Sequence, residues 1–382
     1  MKIRNQIVYI LVMTIVCHSF LFISCANNEP VQVSEDIQIR LKDLKCDTIK
    51  VADLMKDVEI IPLEDTISFM ISWPKTFIVT ENGFFLYDNP SPEVAKILYF
   101  DKHGKALNHI GAIGNGRGEY VTIWDTATDR KGDTIIVTSI NKHLLYDKRG
   151  KFLTSKDLGF DCLLITKTAK TSSGYICATD YDGSDYLLHV YDKDLNLIGE
   201  LLPTNGLVST QVGDAANKIR TDGDKVYYCD GLNSAFYYID LSDSKRNKRY
   251  HFIDDEMLSS DKPRMNYEKG PVFAMISGYY MENENIICYI YRKDAPGTNI
   301  KINTKTNEVC QFVYDEWFPG FSDYYDGHYY MLVDQTEFLE YVEEHEYESD
   351  LTKSEFVKIL KKVYKSSGLK IDEKSNYVIL KF

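Results

Sequence analysis

Apolar residues in this chain come in short runs of about five, separated by polar turns that hold Gly, Asn or Asp. Within these runs the apolar residues either alternate with polar ones or are continuous, as in β-strands. Helical spacing is absent between residues 57 and 334. The pattern therefore predicts a long series of antiparallel hairpins, each too small to be stable without its neighbours.

The hairpins are of two kinds, and they alternate along the chain. The first kind, a strand, a polar turn and an apolar strand, is found at 76–88, 126–139, 168–180, 219–230, 278–291 and 323–334. The second kind follows each of the first five copies, at 97–111, 144–157, 187–201, 236–252 and 299–313. Its turn residues, Asp101, Asp147, Asp192, Asp240 and Asn303, are spaced by 46, 45, 48 and 63 residues.

Two hairpins in about 45 residues are typical of a four-stranded blade that repeats around an axis. Six copies predict an all-β fold, a six-bladed β-propeller. The 28 Tyr residues suit such a fold, because large side chains fill the space between sheets. The alternative is a β-sandwich in which the hairpins coincide by chance, but a sandwich has no reason to keep this period.

The last blade lacks its two outer strands, and the two ends of the chain offer candidates. Val58–Leu63 and Asn376–Phe382 are both apolar runs. Pairing them in blade six would close the ring and leave no open sheet edge between the first and last blades. We therefore predict one domain, residues 47–382, closed by strands from both termini.

The amino terminus predicts export. Lys2 and Arg4 precede an apolar run, Ile7–Ile23, as in a secretory signal. A plain transmembrane anchor is the alternative, but this run has 17 residues and a spanning helix needs about 20.

Cys25 directly follows the small residue Ser24, which looks like a lipoprotein signal-peptidase box, although Phe22 stands where that box usually has Leu, Val or Ile. We expect residues 1–24 to be a signal peptide and Cys25 to be acylated. Residues 25–46 are expected to form a tether to the membrane.

Removing residues 1–24 changes the formal charge from −13 to −15, because Lys2 and Arg4 are lost. So acidic a surface disfavours nucleic acid and anionic membrane faces. Apart from Cys17 and Cys25, the chain has six cysteines and no C-x-x-C pair. Most lie in apolar strand runs, so we expect buried thiols rather than disulfides.

Strand order sorts the connections into two faces. If the strands of each blade run a, b, c, d outward from the axis, the a–b and c–d turns lie on one face. The b–c and d–a connections lie on the other face, around the mouth of the central channel. These are the longer connections: 203–218, 253–275, 315–322, 89–96 and 292–298. Binding usually resides in loops carried by a rigid scaffold, so this second face is the candidate working face.

One d–a connection holds the sharpest motif, AIGNGRGEY at Ala112–Tyr120. Its three glycines permit tight turns beside Arg117 and Glu119. No helix follows to hold a phosphate, so it is not a dinucleotide fingerprint. Arg117, Glu119 and Tyr120 are candidates either for ligand contact or for a structural role at the blade junction. We expect the Glu119 carboxylate to accept backbone N–H groups of the loop.

Helical spacing returns near the carboxyl end. Thr336–Glu348 and Leu351–Ser367 are predicted helices, the second opened by a capping box at Thr352 and Glu355 and closed at Gly368. Together they form a small helical insertion, residues 336–367, in blade six. Its apolar side is expected to pack on the propeller rim, with a groove for a partner as the alternative.

Motifs for catalysis are sparse. The chain has no S-x-D-x-G-x-x-W box, no H-E-x-x-H pattern and no G-x-S-x-G elbow. Adjacent acids such as Asp254 and Asp255 arise by chance among 57 carboxylates. Catalytic residues stay unknown, and we expect neither a metal nor a cofactor.

Several features together resemble the six-bladed β-propeller lipoproteins of gut-type Gram-negative bacteria. These are the signal with its Cys25, the IIPLE segment (60–64), the IGNGRGEY loop (113–120), the recurring YD-x-x-G turns and the NYVILKF ending. Those proteins look related to NHL-repeat propellers and are largely uncharacterised. Family versions of the loop often have Pro at the position of Arg117, whereas Glu119 and Tyr120 match.

Two functions remain open. The first is a lipid-anchored protein of the cell envelope, at the outer membrane, that binds a glycan, a peptide or a partner protein as a binding or scaffold propeller. The alternative is a lactonase-, lyase- or hydrolase-like propeller enzyme with its active site at the channel mouth. Convergent Asp, Glu, His or Asn side chains at the channel would favour the enzyme, and exposed aromatic residues there would favour binding.

Overall fold

A computed structural model describes most of the chain. The described residues are 33–55, 57–139, 142–157, 165–179, 184–204, 217–231, 233–254, 257, 274–292, 297–343, 354–372 and 374–382. Three strands precede the repeats: β1 (Glu35–Ile39), β2 (Cys46–Ile49) and β3 (Glu59–Pro62). Three short 3₁₀ helices cover Leu41–Asp43, Ile67–Phe69 and Ser244–Arg246.

The remaining strands form six sheets arranged as blades, so the predicted six-bladed propeller is confirmed. Blade 1 contains β4 (Pro74–Thr80), β5 (Gly83–Asp88), β6 (Lys96–Asp101) and β7 (Ala106–His109). Blade 2 contains β8 (Asp125–Thr128), β9 (Thr134–Ser139), β10 (Lys142–Asp147) and β11 (Phe152–Asp157). Blade 3 contains β12 (Ile165–Lys170), β13 (Gly174–Thr179), β14 (Tyr186–Asp192) and β15 (Leu197–Pro203).

Blades 4 to 6 complete the ring. Blade 4 contains β16 (Asn217–Asp222), β17 (Lys225–Asp230), β18 (Ala235–Asp240) and β19 (Lys248–Phe252). Blade 5 contains β20 (Ala274–Glu282), β21 (Asn285–Arg292), β22 (Thr298–Asn303) and β23 (Val309–Tyr314). Blade 6 contains β24 (Asp323–Tyr325), β25 (His328–Val333) and β26 (Val378–Lys381), with β3 outermost.

The first strand of each blade is the innermost. Around the axis, β24 contacts β4 and β20, while β12 contacts β8 and β16. Sheet order then places every a–b and c–d turn on one side, which we call the turn face. The b–c and d–a connections lie on the other side, which we call the loop face.

Side-chain capping explains the repeated turn residue of the second hairpin. The Asp101 carboxylate accepts the backbone N–H groups of His103 at 2.8 Å and Lys105 at 2.9 Å. Asp147 does the same two and four residues further on, and equivalent caps are made by Asp192, Asp240 and Asn303. An Asx turn of this kind directs the chain from strand c into strand d. The Asp or Asn that recurs in the sequence is therefore the residue that caps the c–d turn in each of blades 1 to 5.

The c–d turns also join neighbouring blades. Gly150 has φ +78°, and a Cβ placed there would lie 2.3 Å from the carbonyl oxygen of His109 in blade 1. Gly104 has φ +82°, and its Cβ would lie 2.1 Å from the carbonyl oxygen of Pro62 in blade 6. Glycine is required at both positions because the turn of one blade touches the outer strand of the preceding blade.

Ring closure follows the predicted pairing. β3 and β26 are antiparallel, with Ile60 opposite Leu380 and Ile61 opposite Ile379. β26 in turn pairs with β25. Strands from both ends of the chain thus complete blade 6.

The amino-terminal segment contributes more to the fold than the sequence suggested. β1 lies parallel to β19, from Glu35 opposite Lys248 to Ile39 opposite Phe252, and β2 lies parallel to β23. The propeller therefore begins at Glu35, within the predicted tether 25–46. Both added strands are short and mostly exposed, and the apolar alternation of β1 is limited to Ile37 and Ile39.

The fifth strands cover only the blades whose outer pairing is regular. In blades 1, 2 and 3 the register between strands c and d shifts by a bulge, whereas no shift occurs between β18 and β19 or between β22 and β23. Bulges twist an edge away from further pairing. They are consistent with the absence of a fifth strand on blades 1, 2 and 3.

In the described part of the chain, five apolar clusters fill junctions between neighbouring blades. Between blades 1 and 2 it includes Phe85, Tyr87, Ile135 and Tyr146, all of them buried. Corresponding clusters lie between blades 2 and 3, 3 and 4, 4 and 5, and 6 and 1. The sixth cluster unites blade 6 with the helices.

The chain has helices α1 (Val51–Leu54), α2 (Gln335–Val342) and α3 (Glu355–Ser367) in its described part. The prediction that the first insertion helix reaches Glu348 was wrong, because Glu343 has extended backbone. The start of the second was also wrong. Its N-cap is Ser354 rather than Thr352, and the Glu316 carboxylate accepts the first two N–H groups of the helix at 2.6 and 2.8 Å. The end at Gly368, with φ 69°, is confirmed.

The insertion packs on the propeller as expected. Phe338, Tyr341, Phe356 and Leu360 are buried in one cluster with strands of blade 6. Among the described residues, no helix is both apolar enough and long enough to cross a membrane.

The cysteines follow the prediction only in part. Cys177, Cys229 and Cys288 are buried thiols that are not in disulfides. Cys46 is exposed and Cys310 half-buried, because they lie on the outer strands of blade 5. Cys162 is outside the described residues.

Candidate functional site

The glycine-rich loop lies on the loop face, between β7 and β8, and Tyr120 anchors it. Tyr120 is 2% exposed and belongs to the cluster between blades 1 and 2. Its hydroxyl donates to the carbonyl oxygen of Ile110 at 3.1 Å, and burial raises the pKa of Tyr120 above its ordinary value. Tyr120 is therefore a core residue, which a ligand on the surface would not reach.

Glu119 holds the loop from within. Its carboxylate accepts the backbone N–H of Gly116 at 2.7 Å, so the expected contact between this carboxylate and the loop backbone is confirmed. A Cβ on Gly114 would lie 2.0 Å from the same carboxylate, and a Cβ on Gly118 would lie 2.6 Å from the Phe152 ring. The glycines make room for these two side chains, which indicates a structural brace.

Arg117 is the exposed member of the three candidate residues. Within the described part of the chain it makes no side-chain hydrogen bond or ion pair. Cys25, the predicted lipidation site, is outside the described residues. The structure thus brings Glu119 and Tyr120 into the framework of the loop face and leaves Arg117 to solvent.

A cavity of about 1180 Å³ occupies the centre of the ring. It is lined by the inner strands of blades 1 to 4 and by residues of blade 6. At the loop face its wall includes Asn89, Pro92 and Trp124, and at the turn face it includes Glu81, Lys131 and Gly223. The cavity therefore extends along the channel from one face of the propeller to the other.

Sequence reasoning missed the three tryptophans. Trp73, Trp124 and Trp317 are all exposed, by 61%, 41% and 45%. Each lies in a d–a connection, Trp73 and Trp124 directly before the inner strands of blades 1 and 2 and Trp317 six residues before that of blade 6. Their position ahead of Pro74, Asp125 and Asp323 is visible in the sequence, but a strand pattern does not say which flanking residue stays exposed.

The backbone beneath Trp73 and Trp124 is fixed. The buried Asp88 carboxylate accepts the N–H groups of Ser72 at 3.1 Å and Trp73 at 2.5 Å. The backbone N–H of Trp124 donates to the carbonyl oxygen of Thr138 at 2.8 Å. Both indoles are thus presented by a rigid scaffold.

Side-chain hydrogen bonds join blades 1 and 2 beside Trp124. The Tyr87 hydroxyl donates to the carbonyl oxygen of Ile123 at 2.7 Å and accepts from the Asn89 amide at 2.8 Å. Since the hydroxyl has one proton, the assignment of Nδ2 as the Asn89 donor is the consistent one.

The charges along the cavity are largely paired with one another. Lys167 lies 3.3 Å from Asp125 and Lys170 lies 2.6 Å from Asp129. Burial raises the pKa of Asp125 above its ordinary value, although the Lys167 ammonium opposes this change. These carboxylates already bind lysines and backbone N–H groups, and these contacts hold the inner strands together.

Arg130 makes the strongest of these contacts. Its guanidinium donates to both carboxylate oxygens of Asp323 and to the carbonyl oxygens of Val79 and Tyr324. It therefore joins blade 2 to blades 1 and 6 at the turn-face end of the channel. Within the described residues there is no cluster of three or more His, Cys, Asp or Glu side chains that would hold a metal ion.

Fold and cavity together define a six-bladed propeller with exposed aromatic residues on its loop face. The chain belongs to the family described as a domain of unknown function, DUF4934, which matches residues 35–382. A search of curated proteins found no match.

Two solved structures from Bacteroides show the same fold. A protein of Bacteroides fragilis named as exported is 14% identical, with a TM-score of 0.61, over 90% of this chain and 98% of its own. A DUF4221 family member from Bacteroides vulgatus is 11% identical, with a TM-score of 0.50, over 85% of this chain and 96% of its own. At such identities the similarity concerns the fold alone.

Proposed function

We propose that this protein is a lipid-anchored binding propeller of the cell envelope, which holds its ligand or partner on the loop face. The observation that carries the proposal is the pair of exposed tryptophans Trp73 and Trp124 at the loop face, where Trp124 lines the mouth of a large cavity. Indole rings supply much of the binding energy in recognition sites. Export is supported by the signal-like amino terminus and by the similar fold of an exported protein.

The path of the chain suits an anchor on the opposite side. Ser34 donates to the Asn247 carbonyl oxygen at 3.0 Å, and Glu35 accepts from Asn307 at 2.8 Å. Asn247 and Asn307 belong to c–d turns of blades 4 and 5, so the chain enters beside the turn face. Nine residues separate Cys25 from Ser34 and reach roughly 30 Å at most. A lipid on Cys25 would therefore hold the turn side near the membrane and leave the loop face open.

The anchor is tested by metabolic labelling with a fatty-acid analogue. We expect the wild type to carry the label in the membrane fraction, and Cys25→Ala to lose both the label and the membrane association. Label retained by Cys25→Ala would contradict the proposed anchor.

The binding face is tested by photo-crosslinking in intact cells. A photoreactive residue replaces Val121 on the loop face, 48% exposed, or the exposed Asn82 in an a–b turn as the matched control. We expect defined adducts from position 121 and none from position 82. Adducts from position 82 alone would place the interaction on the turn face and overturn the proposal.

The enzyme alternative has less support. The carboxylates of Asp125, Asp129 and Asp323 are paired with lysine or arginine, and paired carboxylates are poor candidates for general acid–base catalysis. The loop face offers exposed aromatic rings instead, which favours binding.

A further inference from the structure

We infer that the channel mouth beside Trp124 binds an uncharged oligosaccharide, with sugar rings stacked on the indoles of Trp124 and Trp73. This inference rests on the proposed binding function and names its ligand class. Three properties of the mouth support it: rigid exposed indoles, near-neutral charge and the size of the cavity.

The first property is the aromatic surface. Trp124 lines the cavity wall, and Trp73 directly precedes two further wall residues, Pro74 and Lys75. Both rings are exposed, while their backbones are held by Asp88 and Thr138. An indole on a fixed backbone has only its side-chain freedom to lose on binding, and its flat face matches the C–H face of a pyranose ring.

The second property is the charge of the wall. Six cationic and four acidic residues line the cavity, a net charge of +2, but Lys167, Lys170 and Arg130 each bind a carboxylate of another blade. Lys131 and Arg220 lie towards the turn face, away from this mouth. The Lys75 ammonium lies 5.7 Å from the centroid of the Trp73 ring. An anionic ligand would have to displace internal partners, so the wall favours an uncharged one.

The third property is the combination of size and polar lining. The cavity of about 1180 Å³ exceeds the range of about 300–1,000 Å³ that is usual for small ligands. Thr76 and Thr122, both half-buried in its wall, provide hydroxyl groups. A ligand with many hydroxyl groups and apolar ring faces, long enough to enter a channel, is an oligosaccharide chain.

The test is calorimetric titration of the mature protein with a panel of neutral tetra- to hexasaccharides built from glucose, mannose, galactose, xylose or N-acetylglucosamine. Oligogalacturonate of equal length is the charged comparison. We expect at least one neutral member to bind with an affinity that is insensitive to salt, and oligogalacturonate to bind more weakly. Absence of binding throughout the neutral panel, or tighter binding of oligogalacturonate, would overturn the inference.

Trp124→Ala is expected to weaken that binding by at least about tenfold, the loss expected for one stacking residue. Trp317→Ala is the matched control, because Trp317 has a similar exposure but packs on Tyr341 and Phe356 of the insertion. Unfolding midpoints for both variants check that the fold persists. Equal affinity in the wild type and Trp124→Ala would refute this location.

The crosslinking experiment separates this inference from the proposed function. Adducts to a protein from position 121, without oligosaccharide binding, would refute the glycan and retain the binding face. Failure of both experiments would refute both the oligosaccharide site and the proposed binding face.

Discussion

Tyr120 determines how the glycine-rich loop sits on the junction of blades 1 and 2. Its ring is buried between the blades and its hydroxyl binds the Ile110 carbonyl oxygen at 3.1 Å. We predict that Tyr120→Ala lowers the free energy of unfolding by about 3–5 kcal/mol. Tyr120→Phe, which loses only the hydrogen bond, should cost about 1 kcal/mol.

Chemical denaturation measures both variants, with Arg117→Ala as the exposed control in the same loop. We expect no change for Arg117→Ala beyond about 0.5 kcal/mol. Equal stability of the wild type and Tyr120→Ala would contradict the role of this side chain in the core.

At the scale of single turns, glycine is required where one blade touches the next. Gly150 and Gly327 both have positive φ, +78° and +82°, but only Gly150 faces a close neighbour, the His109 carbonyl oxygen. We predict that Gly327→Ala costs about 1–2 kcal/mol, the conformational term alone. Gly150→Ala should cost about 1–3 kcal/mol more, because its Cβ would overlap the neighbouring blade.

The two glycine variants are compared by denaturant midpoints under the same conditions. Equal losses of stability in the two variants would mean that a Cβ at position 150 does not clash with blade 1, and would contradict the prediction.

Between blades, the contact of Arg130 with Asp323 predicts a pH dependence. Burial alone would raise the pKa of Asp323, but the Arg130 guanidinium holds it below its ordinary value. The unfolded Asp has a pKa of about 3.9. The contact therefore stabilises the fold fully above that pH, and the contribution is lost as the pH falls through the lower folded pKa.

We predict that Arg130→Met lowers the free energy of unfolding at neutral pH by on the order of 3 kcal/mol, because it removes the cation paired with the buried Asp323 carboxylate. Asp323→Asn should flatten the acid limb of the stability profile. Calorimetric midpoints across the pH range measure both, and an unchanged acid limb in Asp323→Asn would contradict the assignment.

The whole molecule depends on closure by its two ends. We predict that deleting residues 376–382 abolishes cooperative unfolding, because the third strand of blade 6 is lost and the ring opens. Starting the chain at residue 45 should lower the stability and leave the transition cooperative, since β1 only covers the outer edge of blade 4. Circular dichroism melts distinguish the two, and a cooperative transition in the carboxyl-terminal deletion would contradict the closure.

The sequence predicted those properties that repeat with the period of the blades. The Asx caps at Asp101 and its equivalents recur at a fixed spacing, and the fold follows from that spacing. β1 was missed because its apolar alternation covers only Ile37 and Ile39 and lies outside the repeated hairpins. The start of α3 was missed because Glu316, distant in sequence, fixes it.

The candidate site was predicted less well for a related reason. The face was identified from strand order, but the burial of Tyr120 and the exposure of Trp124 depend on contacts between blades. Such contacts have no local signature in a single sequence. The relation to NHL-repeat propellers and the lipid anchor stay predictions.

The most direct test of the account is hydrogen exchange of the mature protein with and without a detergent extract of the cell envelope. We predict that protection increases in the loop-face connections, residues 64–73, 89–96 and 110–124, while the turns at 101–105 and 147–151 exchange as before. Protection confined to those turns, or no change on the loop face, would contradict a binding site at the channel mouth.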